Sequence, residues 1–248
     1  AMSADGTKQT AVVYGGNIWT STNSGTTWNI VRLIPKYNFG NNWQSIALSE
    51  DGTNQTAVVY GGNIWTSTNS GTTWIEYVSV LTPKNWQSVA MSADGVKRTA
   101  VVYNGNIWTS IDAGVNWIER PLVPAAPKNW FSVTMSADGN KQTAVVYGGN
   151  IWTSDNSGTT WIERPLVPDV PKNWISVTMS ADGTKQTAVV YNGNIWTSDN
   201  YGITWVEDVS VPAVKKWYSV AMSADGTKQT AVVQYGNIWT STNSGTTW

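Results

Sequence analysis

The side chains of this chain that could do chemistry return in register instead of gathering at one point. Asp5, Asp51, Asp94, Asp138, Asp182 and Asp225 each precede a glycine in one motif, and Glu76, Glu119, Glu163 and Glu207 each stand two residues after a repeated tryptophan. Asp112, Asp155 and Asp199 fall in a third repeated motif, which leaves Glu50, Asp169 and Asp208 outside the pattern. Glycoside hydrolysis needs two carboxylates facing each other across a bound sugar, and nothing in the spacing brings these three together. Histidine and cysteine are absent. That removes Ser-His and Cys-His nucleophile pairs, imidazole acid-base roles and the usual zinc ligand sets. The expectation is a protein that is not an enzyme, has no metal site and needs no cofactor.

Recognition is the chemistry that remains. Pro83-Lys84-Asn85-Trp86, Pro127-Lys128-Asn129-Trp130 and Pro171-Lys172-Asn173-Trp174 set an ammonium, a carboxamide and an indole side by side, with looser versions at Asn42-Trp43 and Lys216-Trp217. A neutral sugar asks for an apolar platform under its C–H face and fixed partners for its hydroxyls. The candidate ligand-binding residues are therefore Trp43, Trp86, Trp130, Trp174, Trp217, Lys84, Asn85, Lys128, Asn129, Lys172 and Asn173. Weak sites repeated along one molecule would gain avidity on a multivalent glycan. A competing expectation makes these tryptophans plugs between neighbouring sheets, in a structural or engineered scaffold with no ligand or in a platform for protein partners.

The elements that must position these groups follow from a period. The motif Ser21-Thr22-Asn23-Ser24-Gly25-Thr26-Thr27-Trp28 recurs in variants closing at Trp74, Trp117, Trp161, Trp205 and Trp248, at spacings of 46, 43, 44, 44 and 43 residues. That is the size of one four-stranded propeller blade. In the third repeat, Trp86–Ser92 alternates as a strand and Ala93-Asp94-Gly95 turns. Thr99–Tyr103 is apolar on both faces, Asn104-Gly105 turns again, Asn106–Ser110 is a third strand, and Trp117–Arg120 starts a fourth. Pro121, Pro124 and Pro127 confine that last strand to an edge. No segment pairs helical spacing with helix caps. The expected fold is all-β: a six-bladed β-propeller of four-stranded antiparallel blades forming a single domain over 1–248.

The recurring Ser-x-Asx-x-Gly-x-x-Trp loop resembles the Asp-box, or BNR repeat, of the sialidase-like propeller superfamily, in six copies over the whole chain. The resemblance implies that the box is a structural turn between third and fourth strands, on the face opposite the usual ligand site. It also implies that a ligand would meet the Pro-Lys-Asn-Trp segments and the second-to-third connections: Tyr14-Gly15-Gly16-Asn17, Tyr60-Gly61-Gly62-Asn63, Tyr103-Asn104-Gly105-Asn106, Tyr147-Gly148-Gly149-Asn150 and Tyr191-Asn192-Gly193-Asn194. The box acid is Asp at Asp112 and Asn at Asn23, Asn69, Asn156, Asn200 and Asn243. The arginine triad of sialidases has no counterpart, since Arg120 and Arg164 fall on outer strands, Arg98 on a first turn, and Arg32 alone in an insertion.

Six periods of about 44 residues call for roughly 264, and the chain has 248. An incomplete blade at the terminal seam is expected, open to pairing with a second copy as a homo-oligomer. Ser241–Trp248 repeats Ser21–Trp28 letter for letter, as recent duplication or deliberate design would produce. Lysine and arginine number 15 against 16 acids, so no basic surface is available for nucleic acid or anionic lipid. No apolar run approaches the roughly 20 residues that cross a bilayer, and the first residues carry no targeting segment. Glycans or a protein are the expected partners, with no nucleic acid and no membrane.

Overall fold

The computed structural model describes residues 1–31, 41–77, 82–122, 126–166, 170–211 and 214–248. They form antiparallel strands and no helix, divided between two compact units, Ala1–Pro121 and Leu122–Trp248. Among these residues there is accordingly no helix long and apolar enough to cross a membrane. Arg32, Pro124 and Asp169 lie outside the described residues.

In the first unit, a three-stranded sheet (Gln9–Val12, Ile18–Ser21, Asn29–Val31) precedes two four-stranded ones. These are Asn41–Leu48, Gln55–Gly62, Ile64–Ser67 and Ile75–Tyr77, then Lys84–Met91, Arg98–Gly105, Ile107–Ser110 and Ile118–Arg120. The second unit repeats the plan with Lys128–Met135, Gln142–Gly149, Ile151–Ser154 and Ile162–Arg164, then Lys172–Met179, Gln186–Gly193, Ile195–Ser198 and Val206–Glu207. It ends in the three strands Lys215–Met222, Gln229–Val233 and Ile238–Ser241.

The second strand of each four-stranded sheet is apolar on both faces because both are covered. Ala57, Val58, Ala100, Val101, Ala144, Val145, Ala188 and Val189 are fully buried, and removing such surface from water is the main stabilising term. Side chains also tie neighbouring sheets together. Thr10 Oγ1 donates to Gln55 Oε1 at 2.9 Å in the first unit, and in the second unit Thr143 donates to Gln186 and Thr187 to Gln229, both at 2.7 Å. The third repeat carries Arg98 in this glutamine position. It is fully buried, donates from Nη1 to Thr56 Oγ1 at 2.7 Å, and leaves Nη2 without a partner. Burial lowers its pKa to about 10, with Asp112 opposing the shift.

One boundary differs from the sequence expectation, for a clear physical reason. The second strands do not stop before the Gly-Gly or Asn-Gly turn. After a break in register they run on and pair with the next repeat: Tyr60 with Asn85, Gly62 with Lys84, Tyr147 with Asn173, Gly149 with Lys172. The Lys-Asn pairs expected in loops are therefore the first residues of inner strands, and each connection satisfies its backbone groups on a neighbouring sheet. Glycine is required at the second turn position, because a Cβ on Gly62 or Gly193 would lie 2.7 or 2.6 Å from Cγ1 of Val59 or Val190.

Candidate functional site

The Asp-box end of each repeat is closed upon itself. In the second repeat Ser67 Oγ donates to Asn69 Oδ1 at 3.0 Å and accepts from Gly71 N at 3.0 Å, while Asn69 Oδ1 also accepts from Thr73 N at 2.9 Å. Ser70 and Gly71 take positive φ of 56° and 79°, as a tight loop around an Asx acceptor demands. The same bonds recur around Asn23, Asn156, Asn200 and Asn243, and Asp112 takes the equivalent place.

The first-turn aspartates are equally engaged. Asp51 Oδ1 accepts from Ser49 Oγ at 2.6 Å and from Thr53 N at 2.9 Å. The serine bond, then the backbone and threonine bonds, hold Asp5, Asp51 and Asp225 down to about pKa 2. Carboxylates committed in this way are turn anchors with no proton to exchange near neutral pH.

The five inner-strand tryptophans are covered. Trp43 is 3% exposed, Trp86 1%, and Trp130, Trp174 and Trp217 are fully buried. Each meets the third-strand tryptophan of its own sheet edge to face, from Trp43 with Trp65 at 6.1 Å to Trp86 with Trp108 at 5.9 Å. These rings occupy the sheet core, where a sugar cannot stack on them without displacing neighbours. The lysines lie above the partner ring: Lys84 Nζ is 5.1 Å from the Trp108 ring centre, Lys128 5.0 Å from Trp152 and Lys172 4.9 Å from Trp196. Lys215, which the sequence reading did not single out, stands the same way over Trp239 at 4.9 Å. Asn85 and Asn173 hold the inter-sheet pairs already described, and Asn129 lies in the strand Lys128–Met135.

What opens to solvent at this end is a cleft that recurs at the same strand positions in both units. In the first unit it encloses about 300 Å³ among Asn41, Asn42, Tyr60, Asn63, Trp65 and Glu76. In the second it encloses about 340 Å³ among Lys172, Asn173, Tyr191, Asn194, Trp196 and Glu207. Asn63 Nδ2 donates to Glu76 Oε1 at 2.8 Å, and Asn194 Nδ2 to Glu207 Oε1 at 2.8 Å. Asn106 with Glu119 (3.0 Å) and Asn150 with Glu163 (3.2 Å) repeat the pair. Sequence reasoning missed this Asn–Glu pair, although its signal was present: the two residues stand 13 apart in four successive repeats. Each cleft is lined by one carboxylate, an aromatic wall and amide groups.

The family model described as BNR-Asp box repeat matches residues 195–209, the third strand, box and outer strand of the fifth repeat. No curated protein sequence matches the chain. Among solved structures, YCF48 bound to D1 peptide aligns over 100% of this chain and 79% of its own, at 17% identity and TM-score 0.76. YCF48 from Cyanidioschyzon merolae aligns over 87% and 70%, at 16% identity and TM-score 0.64. An ancestral GH74 enzyme aligns over 97% of this chain, at 15% identity and TM-score 0.77, but only 35% of its own length is covered. The chain thus has the fold of a β-propeller and carries a match to the BNR-Asp box repeat in its fifth repeat. The same fold carries a peptide-bound protein and an enzyme, so the fold alone assigns neither activity.

Proposed function

We propose that this protein is a non-catalytic recognition propeller that binds glycans in the clefts repeated at the hairpin end of its sheets. The observation that carries this reading is the recurrence of one cleft with corresponding residues in both units. At these two clefts the pairs Asn63–Glu76 and Asn194–Glu207 leave the second carboxylate oxygen and the amide carbonyl to accept hydroxyl hydrogens, beside a tyrosine and an indole that suit a sugar's C–H face. In the first unit Asn41 stands where Lys172 stands in the second, so Trp65 carries no ammonium of the kind that covers Trp196. The non-catalytic reading is supported by the acids of these clefts: one carboxylate lines each of the two repeated clefts, whereas hydrolysis needs a facing pair. Repeated clefts would give a multivalent ligand avidity without any single strong site.

A glycan array probed with the labelled folded protein, with unfolded protein as control, tests the reading. Specific signals that vanish in the Glu76→Gln/Glu207→Gln double variant are expected, and a blank array overturns it. A second reading, recognition of a peptide by the same clefts, is favoured by the similarity to YCF48 bound to D1 peptide. A peptide array run with the same variants separates the two.

A further inference from the structure

A second cleft in the Leu122–Trp248 unit breaks the repeat. It encloses about 580 Å³ beside the outer strand of the fifth repeat and the box of the sixth, and its lining includes Thr197, Asp199, Glu207, Asp208, Ser244 and Lys185. Three acids and one lysine line it, and Lys185 Nζ is already engaged with Ser244 Oγ at 3.0 Å and the Asp225 carbonyl at 3.2 Å. Asp208 is 9% exposed. Its Oδ1 accepts from Ser210 N at 2.6 Å, while its Oδ2 is buried with no hydrogen-bond partner. A buried carboxylate oxygen left unpaired is costly, and such sites normally await a cation or donor.

The preceding repeats show which group completes this position. Asp208 follows the repeated glutamate, as Arg120 and Arg164 do in the third and fourth repeats. There each arginine donates from Nε to the third-strand threonine at 2.9 Å, Arg120 to Thr109 and Arg164 to Thr153. The corresponding threonine in the fifth repeat, Thr197, lines the cleft. The repeat has thus exchanged a guanidinium for a carboxylate and kept the threonine acceptor. A metal ion is the poorer fit, since no group of three acidic ligands converges among the described residues.

We infer that this cleft binds a guanidinium group, presented by an arginine side chain of a partner protein, with Asp208 as its charged acceptor and Thr197 as its neutral one. A planar fork of N–H donors matches that pair of acceptors, and Asp199 and Glu207 favour a cation at the mouth. The site is distinct from the repeated clefts and does not rest on the glycan reading; only Glu207 borders both.

The test is an NMR titration of the ¹⁵N-labelled protein with Nα-acetyl-arginine amide, following the Ser210 and Gly245 amides, with the neutral isostere Nα-acetyl-citrulline amide as comparison. Saturable shifts with the arginine probe are expected, at least about tenfold weaker with citrulline. Asp208→Asn keeps the acceptor for Ser210 N and should weaken arginine binding by a similar factor. Asp208→Arg, which restores the residue of the preceding repeats and fills the cleft from within, should abolish it. Asp155→Asn, an exposed box acid of the fourth repeat, should leave it unchanged. No saturable shift in the folded wild-type protein, equal binding of citrulline, or binding untouched by Asp208→Asn would each overturn the assignment.

Discussion

Along the strand Ile64–Ser67, the two ends treat their polar groups in opposite ways. At its end, Ser67 and Asn69 fold the Asp-box around internal donors and acceptors, and the loop is complete without a ligand. At its start, Asn63 and Glu76 share one hydrogen bond at the edge of an open cleft with an indole wall. The strand Ile195–Ser198 repeats the contrast with Asn200 at one end and Asn194 and Glu207 at the other. Both ends are equally regular in sequence, so regularity does not separate architecture from recognition. What separates them is whether polar capacity is used up locally, because a saturated turn can only stabilise while a partly satisfied one can also bind.

Substitutions can break that comparison, and their expected effects span a wide range. The largest is Trp130→Ala. Removing a fully buried indole should cost about 3–5 kcal/mol, read as a lower denaturant midpoint; a change near zero would return this ring to the list of ligand platforms. Arg98→Gln, the residue found at that position in the other repeats, should raise stability by about 1–3 kcal/mol by removing an incompletely paired buried guanidinium. A lower melting temperature would show that the bond to Thr56 outweighs the burial. Ser154→Ala, which strips the Gly158 amide and Asn156 of their shared partner, should cost about 1–2 kcal/mol, whereas an unchanged midpoint would undo the view of the box as a structural anchor.

Acid should act on the turn end selectively. The first-turn aspartates have folded pKa values below the unfolded value, so their contribution is present above about pH 4 and is lost as pH falls toward about 2. Each carboxylate is exposed and each contribution small, so a shallow decline in melting temperature across that window is expected. Stability unchanged between pH 4 and 2 would remove the anchoring role. Smallest of all, Glu207→Gln should alter stability by less than about 0.5 kcal/mol, while altering binding at the cleft; a large loss of stability would make the Asn–Glu pair architectural too.

Much of the box end could be read directly from residue types. Ser, Asx and Gly at fixed offsets encode a loop whose bonds are local, and each closes where the sequence placed it. The cleft end was less legible. Of the expected ligand contacts, Lys172 and Asn173 line the second-unit cleft, Lys84, Lys128 and Lys172 stand over third-strand indoles, and the inner-strand tryptophans are core. The Asn–Glu pairs escaped notice because they join separate strands across a box loop. Asp208 stood out as an acid with no place in the pattern, yet nothing local revealed its unpaired oxygen.

The sequence by itself determined the all-β character, the strand order within each repeat, the box and first-turn geometries and the absence of imidazole and thiol chemistry, since each follows from side-chain type or from contacts a few residues apart. The tertiary structure decided the rest: that second strands cross to pair with the next repeat, which of three indoles per repeat is covered, and which carboxylates keep a free oxygen. Strand crossing and indole burial depend on residues 22 to 45 positions apart being brought together by packing, and burial is a property of that packing and not of any residue alone.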